Sequence, residues 1–271
     1  MNDWRGELSC HAREALEASP HPEWCSPMLA TLTHEQFSDS DWLFEPKLDG
    51  ERLLAFRSGD KTRLMTRNRN SAAETYPELI ESLKRQSISD FVVAGEVVAF
   101  DNGISSFLRL QQRMKISDCD KACTSDVSVH LYLFDLIHVD RHRLDALPLQ
   151  TRKRLLRDLF DFESPLHFTP HRNTEGEAFF KEACKKGWEG IITKCAASRY
   201  RQSRSRDWFK FKCQQGQELV IAGFTKPQGQ RQGFGALLVG YYDDGKLRHP
   251  RFLGLRRDKK PVEVTREASD D

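Results

Sequence analysis

The chain has 271 residues, 38% hydrophobic and 30% charged, with a formal net charge of +2. That length serves one large domain or two and can bury a sizeable core. The sequence has no run of eighteen apolar residues and no apolar leader, so no helical membrane span and a cytosolic location are expected. Seven cysteines without a CxxC pair give no zinc framework and read as reduced thiols.

In chain order, residues 1–25 read as a polar arm with a short helix at 13–18, ended by "SPHPEWCSP". From Trp42, "WLFEPKLDG", "ERLLAFRSG" and "TRLMTRN" read as short strands of an antiparallel meander. "TYPELIESLKRQ" has helical spacing at Leu79, Ile80 and Leu83. "DFVVAGEVVAFDNG" is one long strand or a strand pair, "SSFLRLQQRM" a helix, and "VSVHLYLFDLIHVD" a strand. "LPLQTRKRLLRDLF" is a basic amphipathic helix, with leucines on one side and arginines on the other. "EGEAFFKEACKKG" is a helix closed at Gly187. "WEGIITKC" and "DWFKFKC" are strands. Mixed elements without βαβ alternation predict an α+β fold with largely antiparallel sheets. After residue 216, "ELVIAGFTK", "GALLVGYYDDG" and "KLRHPRFLGL" read as three strands of a small β-rich unit, 217–271.

Several residues suggest chemistry. In "EPKLDGERLLAF", Lys47 sits inside an apolar stretch with Arg52 nearby. Burial and neighbouring cations are what make a lysine nucleophilic. Attack on phosphorus needs cations for the phosphates and carboxylates for a divalent metal, which Glu96 and Glu189 could supply. Lys194, Lys210 and Lys212 lie on strands. Alternation puts Lys210 and Lys212 on the face opposite Phe209 and Phe211. From Arg199 to Lys212 six basic residues and one acid are interleaved with aromatics, a pattern that suits a polyanion surface. Each feature also has an ordinary reading: a KxDG turn, a bulge glutamate, edge-strand lysines, a solvated basic loop. Their order and joint occurrence carry the functional reading.

KLDGER (47–52), TRN (66–68), GEVVAFD (95–101), YLFDLIHVD (132–140), EGIITK (189–194) and WFKFK (208–212) resemble, in order, the motifs of ATP-dependent DNA ligases and capping enzymes. The match is nearest to the ligase module of bacterial DNA end-joining ligases. "SPMLATL" (26–32) resembles that module's opening and "LRHPRFLGLRRDKKP" (247–261) its last motif. The resemblance implies a nucleotidyltransferase (ATP-grasp-like) domain at 26–216, with Lys47 forming lysyl-AMP from ATP. Glu45 would recognise adenine and Phe134 stack on it. Arg52 would contact the nucleotide or nick phosphate, Arg67 the ribose and phosphates. Glu96 would hold the ribose or a Mg²⁺ or Mn²⁺ ion, Glu189 would support the metal, and Lys194, Lys210 and Lys212 would handle phosphates. Arg256, Asp258 and Lys259 would orient pyrophosphate, and Arg199, Arg201, Arg204 and Arg206 would bind DNA.

The implied partners are DNA nicks or ends and a Ku-like end-binding protein. The chain is expected to act as a monomer near the bacterial nucleoid. The sequence departs from the family pattern after Lys212. About 59 residues are few for the five strands of an OB-fold, so that domain is expected to be shortened. An RNA ligase, a capping guanylyltransferase and a binding paralogue that does not seal ends share KxDG and remain alternatives.

Overall fold

Alternation of apolar side chains sorts the strands onto two stacked sheets. The computed structural model describes residues 4–213, 220–226 and 237–240. A 3-10 turn (Trp4–Glu7) and helix α1 (Cys10–Glu14) lead into strands β1 (Glu17–Ala18) and β2 (Leu29–Leu32). Next come β3 (Trp42–Pro46), β4 (Glu51–Ser58), β5 (Lys61–Thr66), α2 (Pro77–Lys84) and β6 (Asp90–Val98). They are followed by β7 (Phe100–Asp101), β8 (Ile104–Ser105), α3 (Phe107–Met114), α4 (Cys119–Cys123), β9 (His130–Val139) and β10 (His142–Arg143). Helix α5 (Leu149–Leu159), β11 (Leu166–Phe168), β12 (Arg172–Asn173), α6 (Gly176–Lys185), β13 (Gly190–Cys195) and β14 (Arg204–Lys212) complete the first unit.

A seven-stranded sheet runs β1-β10-β9-β6-β4-β5, with β11 beside β9. A five-stranded sheet runs β12-β3-β13-β14-β2. Both are antiparallel except where β11 meets β9 and β14 meets β2, so the α+β expectation holds.

Period two decides which face each residue serves. Leu53, Ala55, Val93 and Val97 join the helix-covered core with Leu79, Leu83, Leu110 and Leu155. Leu54, Phe56, Val92, Ala94 and Phe134 turn the other way and meet Leu43 and Trp208 from the second sheet. On that sheet's outer face Phe44, Ile191 and Phe211 pack with Phe179 and Ala183 of α6. Truncating a fully buried leucine such as Leu54 to alanine costs about 2–5 kcal/mol.

Four expectations need correction. The helix expected at 13–18 lies at Cys10–Glu14, and Glu17–Ala18 is a strand paired with β10. The first residues also pack: Trp4, Leu8 and Ala12 enter the helix-side core, and Trp4 Nε1 donates to Asp140 at 2.9 Å. The apolar stripe was already present as W4-x₃-L8-x₃-A12, hidden by the polar residues between. In α5, Arg152 and Lys153 are buried rather than solvated, because positions 149, 152, 153 and 156 share one helix face. The thiols are not all free: Cys184 and Cys213 form a disulfide with Cα atoms 5.3 Å apart. The end of α6 and the last residue after β14 converge there, since Cys213 N donates to Glu189 O at 3.1 Å.

The chain divides into two compact units, Met1–Cys213 and Gln214–Asp271. In the second, Val220–Phe224 pairs antiparallel with Leu237–Gly240. The third strand expected there, and the motif at 247–261, lie outside the described residues.

Candidate active site

The KLDG segment is the crossover between the two sheets. β3 belongs to the five-stranded sheet and β4 to the seven-stranded one. Pro46 ends β3, and Lys47 N donates to Gly190 O at 3.0 Å. Asp49 ties the loop to the start of α3: its Oδ2 accepts from Phe107 N at 3.1 Å, and its N–H donates to Ser105 Oγ at 3.0 Å. Gly50 is required by space, since a Cβ there would stand 2.1 Å from Val97 O. Gly190 is required twice, by a φ of +143° and by Phe211 O, 1.9 Å from any Cβ. These constraints bring Lys47 Nζ against Glu189, to which it donates; the other Glu189 oxygen is 2.8 Å from Lys212 Nζ. Burial alone would raise the Glu189 carboxyl, but Lys47 and Lys212 outweigh it and hold the group below the ordinary glutamate value.

Lys47 opens on a cavity of about 260 Å³ between the sheets, lined also by Glu45, Arg52, Glu96, Phe134, Lys194, Trp208 and Lys210. Arg52 and Glu96 are opposite residues of β4 and β6, on the face that carries Leu54 and Ala94. Phe134 is clasped by cations, with Arg52 Cζ 4.1 Å and Lys194 Nζ 4.0 Å from its ring centroid. Arg52 Nε and Nη2 are buried and make no hydrogen bond. Two unpaired guanidinium donors beside a lysine amine are the donor set of a phosphate site. Burial pushes Glu96 up to about 7, helped by Glu189, although Arg52 and Lys47 oppose it. A carboxylate so disfavoured gains from a hard divalent cation, and Glu96 fits one. Glu189 fits less directly, because both of its oxygens hold lysines.

Glu45, 2% exposed, lies between two buried lysines: Lys153 Nζ is 2.6 Å from Oε1, and Lys194 Nζ donates to Oε2. Burial would raise Glu45, but the two lysines override it and its pKa is lowered. Burial brings Lys194 down to about 8, against the pull of Glu45. Behind Phe134, Asp135 takes a two-pronged ion pair from Arg152, at 2.7 and 2.9 Å, with both side chains fully buried.

Of the residues singled out in the sequence, Lys47, Glu45, Arg52, Glu96, Phe134, Lys194 and Lys210 line one cavity, and Glu189 and Lys212 adjoin it through Lys47. Arg67 is exposed on the turn after β5 and does not line the cavity. Arg199, Arg201, Arg204 and Arg206 are exposed. Arg201 pairs with Asp207 at 2.8 Å, and Arg204 donates to Ala30 O. Of the aromatics in the 199–212 run, Tyr200, Trp208 and Phe211 are buried and do not share that surface, and Phe209 is half-buried. Arg256, Asp258 and Lys259 lie outside the described residues. Lys153, Arg152 and Asp135 escaped the sequence reading, which placed Trp208 in the basic and aromatic run rather than at the cavity. The signal for the first two was a cationic pair at the stripe positions of a helix.

A lysine-bearing loop crossing between two largely antiparallel sheets, over a cation-rich cavity with a buried aromatic, is the arrangement of a nucleotidyltransferase ligase domain. The model of the ATP dependent DNA ligase domain matches residues 27–212, and the chain belongs to that family. The multifunctional non-homologous end joining protein LigD of Pseudomonas aeruginosa is 36% identical over 239 residues, 87% of this chain and 28% of that protein. DNA ligase 2 of Thermofilum pendens is 33% identical over 219 residues, covering 74% of this chain and 36% of the relative. The chain therefore spans about a third of the length of these relatives. A solved mycobacterial DNA ligase D complexed with ATP and MES superposes with a TM-score of 0.61 at 31% identity, covering 80% of this chain and 67% of that one.

Proposed function

We propose that this chain is an ATP-dependent DNA ligase module that seals breaks bearing a 5′-phosphate and a 3′-hydroxyl, in end joining. The carrying observation is Lys47 on the crossover loop, beside the unpaired Arg52 donors and backed by Glu189 and Lys212. Lys47 Nζ attacks the α-phosphorus of ATP; an N–P bond forms and pyrophosphate leaves. The 5′-phosphate of DNA then takes the AMP from Lys47, and the 3′-hydroxyl attacks that phosphate and expels AMP. Dividing one exchange into transfers lowers each barrier.

Within this reading Glu189 orients the Lys47 amine, and Arg52, Lys194, Lys210 and Lys212 meet phosphate charge. Glu45 is assigned to adenine recognition, Phe134 to adenine stacking, and Arg67 to the ribose and phosphates. Mg²⁺ or Mn²⁺ held by Glu96, with Glu189 beside it, would neutralise charge on the phosphates. Residues 26–216 form the adenylation domain. Residues 217–271 are assigned to an OB-like unit, and Arg256, Asp258 and Lys259 to orienting pyrophosphate. Exposed Arg199, Arg201, Arg204 and Arg206 contact DNA, so affinity falls steeply with salt. The module acts as a monomer near the nucleoid, with a Ku-like protein as the partner to test.

The test is incubation with α-labelled ATP and Mg²⁺, denaturing electrophoresis, and a chase with nicked DNA. Label that is absent in Lys47→Ala and passes to DNA with closure of the nick supports the proposal. Label that stays on the protein refutes sealing and leaves a nucleotidyltransferase core. No label refutes both.

A further inference from the structure

His21, Asp90 and His138 bring three ligand atoms within 4.8 Å of one another, and none of the three residues lines the Lys47 cavity. They come from distant parts of the chain: the segment between β1 and β2, the first residue of β6, and β9. Asp90 Oδ1 is 2.8 Å from His21 Nδ1 and 3.4 Å from His138 Nε2. Ligand atoms of a tetrahedral zinc ion, each about 2 Å from the metal, stand about 3.3 Å apart. Small side-chain movements would therefore close the three groups around one ion.

A hydrogen-bonded His–Asp pair would explain His21 but not His138. His138 is 1% exposed; its Nδ1 has no hydrogen-bond partner, and its Nε2 has a 3.4 Å approach to Asp90 Oδ1 without hydrogen-bond alignment. A buried polar group left unpaired costs about 1–3 kcal/mol. The second oxygen of Asp90 accepts from Arg141 N at 2.8 Å, which fixes the carboxylate and leaves Oδ1 toward the histidines. His21 and Asp90 are 16% and 18% exposed, which gives an ion a route in.

We propose that His21, Asp90 and His138 bind a divalent transition metal of the zinc type, and that the ion fastens the segment before β2 to the seven-stranded sheet. Two imidazoles and one carboxylate favour zinc, cobalt or ferrous iron over magnesium and leave a coordination position for water.

The test uses the full chain, with its thiols alkylated so that free cysteines do not compete, stripped by chelator and titrated with Zn²⁺. One zinc per chain is expected by elemental analysis, together with a rise in melting temperature. Limited proteolysis between residues 15 and 27 should slow when zinc is bound. Because His138 lies in the core, the variants are His21→Ala and Asp90→Asn at the outer ligands. Each should weaken zinc affinity tenfold or more and remove the protection from proteolysis, while the metal-free protein melts as a single transition. A Co²⁺ absorption spectrum of nitrogen and oxygen ligation, lost in His21→Ala, would support the same site. Absence of stoichiometric zinc, or binding unchanged in both variants, would overturn it. None of these readouts depends on ligation, so the site can fail while the ligase reading stands, and the reverse.

Discussion

Glu189 grips two lysines at once: one oxygen accepts from Lys47 Nζ and the other lies 2.8 Å from Lys212 Nζ. The carboxylate thus sets where the Lys47 amine points before any nucleotide arrives. Glu189→Gln keeps the size and removes the charge that holds both amines. Self-adenylation should slow about 10²-fold, the usual consequence of a misplaced reacting group. Single-turnover labelling with α-labelled ATP measures it; a rate within twofold of the parent would remove Glu189 from positioning.

Lys47→Arg should abolish the covalent label while leaving the fold intact. Arginine preserves the cation for Glu189 but is not a nucleophile at neutral pH, because its guanidinium stays protonated. Lys47 is partly exposed, so the stability change should stay within about 1 kcal/mol. Urea denaturation beside the labelling assay separates the two effects, and residual label in Lys47→Arg would place the nucleophile elsewhere.

The buried trio of Lys153, Glu45 and Lys194 predicts a stability effect. Lys153→Met leaves Glu45 with one partner fewer in a fully buried position. Breaking a buried ion pair from one side costs about 3–5 kcal/mol. The pH sign follows from the lowered Glu45 pKa. Its contribution is fully present above the unfolded glutamate value and is lost as pH falls through the lower folded value. The parent should therefore lose stability on acidification in a range where Lys153→Met loses less, read from urea midpoints across acidic pH.

Glu96 titrates the other way. Its folded pKa, raised to about 7 chiefly by burial, lies above the unfolded value of 4.5, so the folded chain holds that proton more tightly. Stability contributed by this group is present below about 4.5 and declines as pH rises through about 7. Metal-dependent labelling should instead increase as pH rises through 7, because the carboxylate forms there. Glu96→Gln should flatten both dependences; a labelling profile that still rises through 7 in that variant would assign the titration to another group.

Much of this site was legible because its chemistry sits on strands. Period two alone separates Lys210 from Phe209 and Phe211, and it puts Arg52 and Glu96 on the face of Leu54 and Ala94. The unusual charge inside "EPKLDGERLLAF" marks the crossover between sheets, a point where a chain leaves one hydrogen-bonded ladder for another. Long-range partners were illegible. Glu45 meets Lys153 across 108 residues, and Cys184 meets Cys213 across 29 with no motif linking them. The aromatics at 199–212 show the opposite limit, for a basic and aromatic run does not reveal which member faces water. Only the ladder with β13 and β2 decides that.

Arg52 carries the sharpest expectation about ligand binding. Its guanidinium rests over Phe134 at 4.1 Å with two buried nitrogens unpaired, so it adds little to the stability of the unliganded fold and can even detract from it. Groups left unsatisfied in a folded protein are where binding energy is recovered, because a ligand that pairs them returns their desolvation cost. Arg52→Met should therefore melt at or slightly above the parent temperature without nucleotide. The rise in melting temperature on adding ATP should shrink, corresponding to an affinity loss of roughly tenfold or more, since a hydrogen bond to a charged group is worth about 1.5–3 kcal/mol. Arg52→Lys should recover only part of that rise, because an ammonium cannot stack on Phe134 and offer two fixed donors together. Thermal melts with and without ATP decide it. A variant that loses stability in both conditions by the same amount would make Arg52 a structural residue and leave the phosphates to Lys47, Lys194 and Lys210.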